Sequence, residues 1–236
     1  MDHIGIGIYS VPEAAQLIHG SRAAIKRWLY GYDCAHRCRG ESVSKQYHSA
    51  PLWQPQHAAA DMDGQFVGFR DLIELRAVRE FVAHGLPLLV VRRCLDYAKT
   101  EFGLDAYPLS ARRFRTDGRT IFLEALQDDD VADRIDLRTR QYVFNDIIKP
   151  SLYEGIEYEG DEARRWFPEG RDRRTIVIDP ARQFGKPILE GAGVPTATLY
   201  ASWLAEGRDK HAVARAYEVQ ARHVEAAVRF EEHLAA

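Results

Sequence analysis

Apolar positions recur with a period near 3.6 at both ends of the chain and alternate over short runs in the middle. This predicts helical ends around a small sheet. Near the N-terminus, Ser10-Val11-Pro12-Glu13 reads as a capping box: the Ser10 hydroxyl accepts the Glu13 N–H and the Glu13 carboxylate accepts the Ser10 N–H. Ala14, Ala15, Leu17 and Ile18 follow at helical spacing, with Pro12 in the first turn, where its missing donor costs nothing. His19-Gly20 is the expected stop. Ser21 is a second N-cap, for a helix whose inward stripe is Ile25, Trp28 and Leu29 and whose end is Gly31. Two short helices joined by a tight glycine-containing turn predict a helix-turn-helix.

Residues 32–66 show no helical period and read as an elaborated wing, with a short strand expected at Ser49–Trp53. Phe69 opens a long amphipathic helix with Leu72, Ile73, Leu75, Val78, Phe81 and Val82 on one stripe. His84-Gly85 breaks it, and Pro87 starts another helix with Leu88, Val91, Leu95 and Ala98 inward. Further on, Arg119–Leu123 reads as a strand after the turn signal Asp117-Gly118. Residues 131–149 fit either a helix or a mixture of helix and strand. Gly155–Tyr158, Arg165–Phe167 and Thr175–Ile178 then read as short strands of an antiparallel sheet. Beyond them Thr196 is the expected cap of a helix with Leu199, Trp203 and Leu204 inside. Val213, Ala214 and Tyr217 mark a second helix, and Val224, Ala227, Val228 and Leu234 a third.

The fold class expected is therefore α+β and mostly helical, in three parts. These are an N-terminal winged helix-turn-helix over 1–115, a small β-rich connection over 116–175, and a C-terminal three-helix helix-turn-helix domain over 176–236.

Composition changes this picture little. The 236 residues suffice for one large or two small cores, and 46% apolar with 28% charged residues is ordinary for a globular protein. No apolar run approaches the ~20 residues a bilayer span needs, and no signal peptide is readable, so a cytoplasmic protein without membrane contact is expected. Three cysteines cannot all pair within one chain, which speaks against a disulfide framework. Charge distribution says more than the net charge of −3: residues 1–60 carry six Lys/Arg against four Asp/Glu, together with five histidines. That is the net-positive stretch, and a nucleic-acid surface is expected there.

Within it, Ser21 caps the second helix, whose polar face carries Arg22, Lys26 and Arg27, and the wing adds Arg37, Arg39 and Lys45. In a helix-turn-helix the start of the second helix enters the major groove. There Arg addresses guanine edges and Lys mostly phosphate. A surface helix with basic residues is also the ordinary solvated case, so the pattern alone leaves DNA binding about even. The last helix exposes Arg222, His223 and Arg229 among Glu225, Glu231 and Glu232, a mixed charge suited to a protein partner or to dimerisation at least as well as to DNA.

No catalytic set, cofactor loop or metal site is expected. Gly185 and Gly193 fit no phosphate-binding pattern, and no nucleophile-elbow or zincin sequence occurs. Cys34, His36 and Cys38 have ligand chemistry, but no second Cys/His pair lies at structural-zinc distance, which favours an incidental cluster. The run Asp128-Asp129-Asp130 reads as solvated.

Two stretches resemble known families. Ser10–Gly31 followed by Phe69–Tyr97 resembles the MerR-like winged-helix regulators, although the wing is long and no dimerisation coiled coil follows. Ile178-Asp179-Pro180 through Gly185-Lys186-Pro187 to Gly193-Val194-Pro195 resembles a small bacterial domain found in antitoxins; here Gly191-Ala192-Gly193 replaces the family's Gly-Thr-Arg. The whole order resembles the long VapB-type antitoxins encoded beside PIN-domain ribonuclease toxins. That resemblance implies a homodimer that binds its own promoter as double-stranded DNA and holds a PIN-domain toxin inactive. The alternative it leaves is a MerR-like transcriptional regulator with no toxin partner.

Overall fold

The two N-terminal serines act as the sequence predicts. In the computed structural model, Ser10 and Glu13 close a reciprocal cap, the carboxylate accepting the Ser10 N–H at 2.7 Å and the Ser10 hydroxyl accepting the Glu13 N–H at 3.3 Å. This starts α1 (Val11–Leu17) directly after the two-residue strand β1 (Tyr9–Ser10). Ser21 caps α2 (Arg22–Tyr30) by accepting the Ala24 N–H. The structure describes residues 5–36, 45–57, 65–103, 106–114, 118, 121–122, 124, 153–170 and 172–235.

Between the helices the left-handed residue is His19 (φ 50°), one position before the glycine expected to end the helix. Gly20 closes the turn instead, donating its N–H to the Ala15 carbonyl at 2.7 Å. At the far end of α2, Gly31 has φ 74°, and a Cβ there would meet the Ser49 carbonyl oxygen at 2.5 Å. Glycine is required at that point by close approach as well as by conformation.

The region read as a wing is a hairpin, β2 (Tyr32–His36) paired antiparallel with β3 (Lys45–Ser49), Tyr32 opposite Ser49. The strand expected at Ser49–Trp53 is thus displaced toward the N-terminus. Leu52 and Trp53 are instead buried anchors beyond the strand end, the Leu52 N–H bonding the Trp28 carbonyl at 2.8 Å. The returning chain forms β4 (Phe66–Val67) against β1, then α3 (Phe69–Ala83) and α4 (Leu88–Phe102). Val82 departs from the expected stripe and is exposed. Two acids take inward places on α3 instead. Asp71 accepts N–H groups from Trp53 (2.9 Å), Gln56 (3.0 Å) and Gly68 (3.0 Å), so it ties the wing's return to the helix start. Glu74 accepts the Leu109 and Ser110 N–H groups at 3.0 and 2.7 Å, holding the 3-10 turn Pro108–Ser110. Burial pushes the Glu74 carboxyl up to about 7 against those bonds.

The strand expected at Arg119–Leu123 is overturned: Ile121 and Phe122 are helical. Phe114, Gly118, Ile121 and Phe122 are all buried, and their spacing belongs to one helix face rather than to an alternating strand. A short Ile-Phe-Leu run does not distinguish the two by itself. Asp128-Asp129-Asp130 and residues 131–149 lie outside the described residues.

The middle sheet is present as expected in kind. It has four antiparallel strands in the order β5 (Ile156–Glu159), β6 (Glu162–Trp166), β7 (Ile176–Ile178) and β8 (Pro187–Leu189), the last being a strand not anticipated. Three helices follow: α5 (Thr196–Ala205), α6 (Lys210–Ala216) and α7 (Ala221–Ala235). Thr196 does not cap α5. It is the first helical residue, and its hydroxyl bonds the Pro187 carbonyl (3.3 Å) and the Glu231 carboxylate, fastening α5 to β8 and α7. Leu199 is buried as expected, but Trp203 is only half-buried and Leu204 is exposed.

The result is an α+β protein, about half helical, with small antiparallel sheets. One hydrophobic cluster runs from Tyr9 to Phe230 through all three predicted parts. The N-terminal strand is held from the far end of the chain: the Tyr9 hydroxyl donates to the Gly185 carbonyl at 2.8 Å, and the Ile8 N–H to the Phe184 carbonyl at 3.0 Å. Gly185 has φ 84°, and a Cβ there would fall 2.2 Å from the Tyr9 hydroxyl.

Candidate nucleic-acid interface

Three hydrophobic side chains orient α2. Ile25 and Leu29 are fully buried and Trp28 nearly so, which turns the opposite face to solvent. That face carries Arg22, Lys26 and Arg27, all exposed, and α2 contains no acidic residue. Arg22 and Lys26 lie four residues apart on one stripe, and Arg27 flanks it. Neither Arg22 nor Lys26 is paired with any described residue, so their charges face outward uncompensated. Arg27 packs its guanidinium over the Tyr32 ring, 5.6 Å from the centroid, which joins α2 to the first strand of the hairpin. Ser21, read as part of the binding set, is engaged in capping and stands beside Arg22 at the exposed start of the helix.

The hairpin is fixed at its base and not by α2 alone. Arg92 on α4 donates to the Ala50 and Pro51 carbonyls at 2.7 and 3.0 Å, and the Tyr30 hydroxyl donates to the Phe66 carbonyl at 2.9 Å. Along the strands, Asp33 and His48 face each other and bond at 2.8 Å, both well exposed. The backbone of Lys45 lies in β3 opposite His36. Arg37 and Arg39, like Cys38 of the Cys/His cluster, lie outside the described residues. Cys34 is exposed, and among the described residues no group of three His, Cys, Asp or Glu side chains is arranged to hold a metal.

The structure brings Arg22, Lys26 and Arg27 onto one surface and sets Arg222, His223 and Arg229 on a separate helix, α7. Arg222 is exposed; His223 is half-buried and lines a cleft together with Gly191 and Ala192; Arg229 lies 3.7 Å from Glu169. The Arg92 and Arg27 contacts were not foreseen. Arg27 beside a tyrosine at the start of a strand was a readable signal, whereas Arg92 reaches across 41 positions with no local cue.

The comparisons with known proteins fall on this fold. Residues 176–230 match a family described as Protein of unknown function (DUF433). Over 224 residues the chain is 29% identical to a protein of Mycobacterium tuberculosis (strain ATCC 25618 / H37Rv) named "Putative antitoxin VapB45", covering 91% of this chain and 89% of that one. Its fold is similar to the X-ray crystal structure of Rv2018 from Mycobacterium tuberculosis, with a TM-score of 0.68 and 22% identity, over 95% of this chain and 99% of that chain. No described helix is long and apolar enough to cross a membrane.

Proposed function

We propose that this protein is a non-enzymatic regulator, the DNA-binding antitoxin of a type II toxin–antitoxin pair. It holds a PIN-domain ribonuclease toxin inactive and represses the promoter the two share. The likeness to an antitoxin over nine-tenths of the chain supports the toxin-facing half of this reading. One observation carries the DNA-facing half: an acid-free helix on which Arg22 and Lys26 have no partner among the described residues, presented by a capped helix pair beside a β-hairpin.

In this reading α1 and α2 form a helix-turn-helix and β2–β3 its wing. Arg22 addresses a base edge, and Lys26, Arg27, Arg37, Arg39 and Lys45 contact phosphate. Arg222, His223 and Arg229 face a protein partner. The protein acts in the cytoplasm as a homodimer, matching a two-fold symmetric operator.

The test is co-expression with the neighbouring reading frame, followed by titration of the purified complex against the upstream DNA. A tight complex with a PIN-domain protein is expected, and promoter binding should weaken by roughly 10³–10⁵ between about 50 and 200 mM salt if six to ten phosphates are contacted. Promoter binding with no toxin partner leaves the plain MerR-like regulator. Salt-insensitive binding, or none, removes the DNA-facing half.

A further inference from the structure

At the seam between the N-terminal helix pair and the C-terminal module lies a cleft of about 490 Å³. It is walled by the end of α1, the outer face of α3, the chain after β6 and the last turns of α7. Its floor is apolar, with Leu17, Trp166, Phe230 and Leu234. Its rim is cationic. Arg76 and Arg79 come from α3, Arg173 from the loop before β7 and Arg229 from α7, against two carboxylates, Glu80 and Glu169. His19 and His233 meet edge-to-face at the mouth, ring centroids 4.8 Å apart.

Three details show what this lining lacks. Glu80 is paired with Arg79, and among the described residues Glu169 has a single ion pair, to Arg229, which is long at 3.7 Å. The second Glu169 oxygen is buried without a hydrogen-bond donor. Such a group costs free energy until a donor reaches it. Burial first, and then the nearness of His233 and Arg79, hold the His19 imidazole below its usual range. The site therefore has a place for an anion, a place for a hydrogen-bond donor, and an apolar floor between them.

We propose that this cleft binds a ligand with the chemistry of an apolar α-amino acid residue with a free carboxylate: carboxylate toward Arg173 and Arg229, N–H or ammonium toward Glu169, aliphatic side chain on the Trp166–Phe230 floor. A free amino acid and the C-terminal residue of a protein partner share this chemistry. The volume lies within the range of small-molecule sites and is too small for a folded element. The site is independent of the α2 surface, so its existence does not depend on the regulatory reading.

The experiment is a titration of the full-length protein with L-leucine and, separately, with the peptide acetyl-Ala-Ala-Leu, following the Trp166 indole resonance by NMR. Saturable one-to-one binding of at least one is expected. Leucine alone identifies a free amino acid, and the peptide alone a protein C-terminus. The matching carboxamides should bind at least tenfold more weakly, as should the protein with Arg173→Gln and Arg229→Gln together, two exposed positions whose replacement leaves the core intact. Arg222→Gln, on the same helix but outside the cleft, should bind like the parent. The proposal is overturned if neither probe saturates below about 10 mM, or if the carboxamides or the double variant bind as tightly as the originals.

Discussion

The two ends of the molecule use the same kind of element for different work. At the N-terminal end, α2 is capped by its own serine, packs through three residues, and leaves Arg22 and Lys26 exposed without partners among the described residues. At the C-terminal end, α7 shares the greatest length among the described helices, and although Arg222 is exposed, several of its polar side chains are engaged. Glu225 bonds Lys210 at 2.8 Å, Glu231 bonds Thr196, and Arg229 approaches Glu169. Charge therefore orders the C-terminal module internally, whereas on α2 it is held available.

The largest effect expected is at Trp28, the packing residue behind the α2 face. Trp28→Ala should cost about 3–5 kcal/mol of stability, read from denaturant unfolding. Its DNA affinity should fall only as far as the folded fraction falls. A stable Trp28→Ala variant that no longer binds DNA would mean that Trp28 belongs to the surface and not to the support.

Next in size is Glu74, in the helix between the two ends. Its folded-state carboxyl is raised to about 7 from an ordinary 4.5, so the folded protein holds the proton more tightly than the unfolded chain. That contribution is fully present below about pH 4.5 and is lost as pH rises through 7, a fall on the order of 3 kcal/mol over the window. Glu74→Gln should flatten this part of the stability–pH curve. An unchanged slope would place the titrating group elsewhere.

Third, Arg22→Ala should cost about 1–3 kcal/mol at the operator and relax sequence preference while leaving the melting temperature nearly unchanged. Equal operator affinity for the variant and the parent would make α2 a scaffold like α7. The smallest effects separate the two ends most finely. Lys26→Ala should lower the salt slope of DNA binding by about one unit at every sequence. Arg229→Ala should leave DNA binding alone and change stability by about 0–1 kcal/mol, as a half-exposed ion pair does. If Arg229→Ala alters the salt slope instead, the division between the ends fails.

Much of this was legible in the residues. Ser10, Glu13 and Ser21 announce their helices because capping is local chemistry, complete within four positions. The stripes of α2, α4 and α7 follow from period alone. What was not legible depends on distant partners. Thr196 looks like a cap, but Pro187 and Glu231 claim its hydroxyl. Ile121 and Phe122 look like a strand, and only their burial beside Phe114 and Gly118 reveals the helix. Asp71 and Glu74 interrupt an apolar run three residues apart, a signal of buried acids that the stripe of leucines and isoleucines obscured. Arg22, Lys26 and Arg27 lie on the exposed face of α2 that the stripe of Ile25, Trp28 and Leu29 predicts, whereas the cleft at the seam was not legible, because its walls come from four separate parts of the sequence.

The clasp on the first strand has a consequence for how the chain is made. Tyr9 leaves the ribosome 176 positions ahead of the carbonyl that receives its hydroxyl. Until Gly185 emerges, β1 has only β4 to pair with, over two residues on each side. A contact of such sequence separation is slow to close, since the loop entropy must be met before the bond rewards it. β1 is then among the last elements to settle, and a nascent chain halted before Phe184 carries that strand without its clasp, open to proteases.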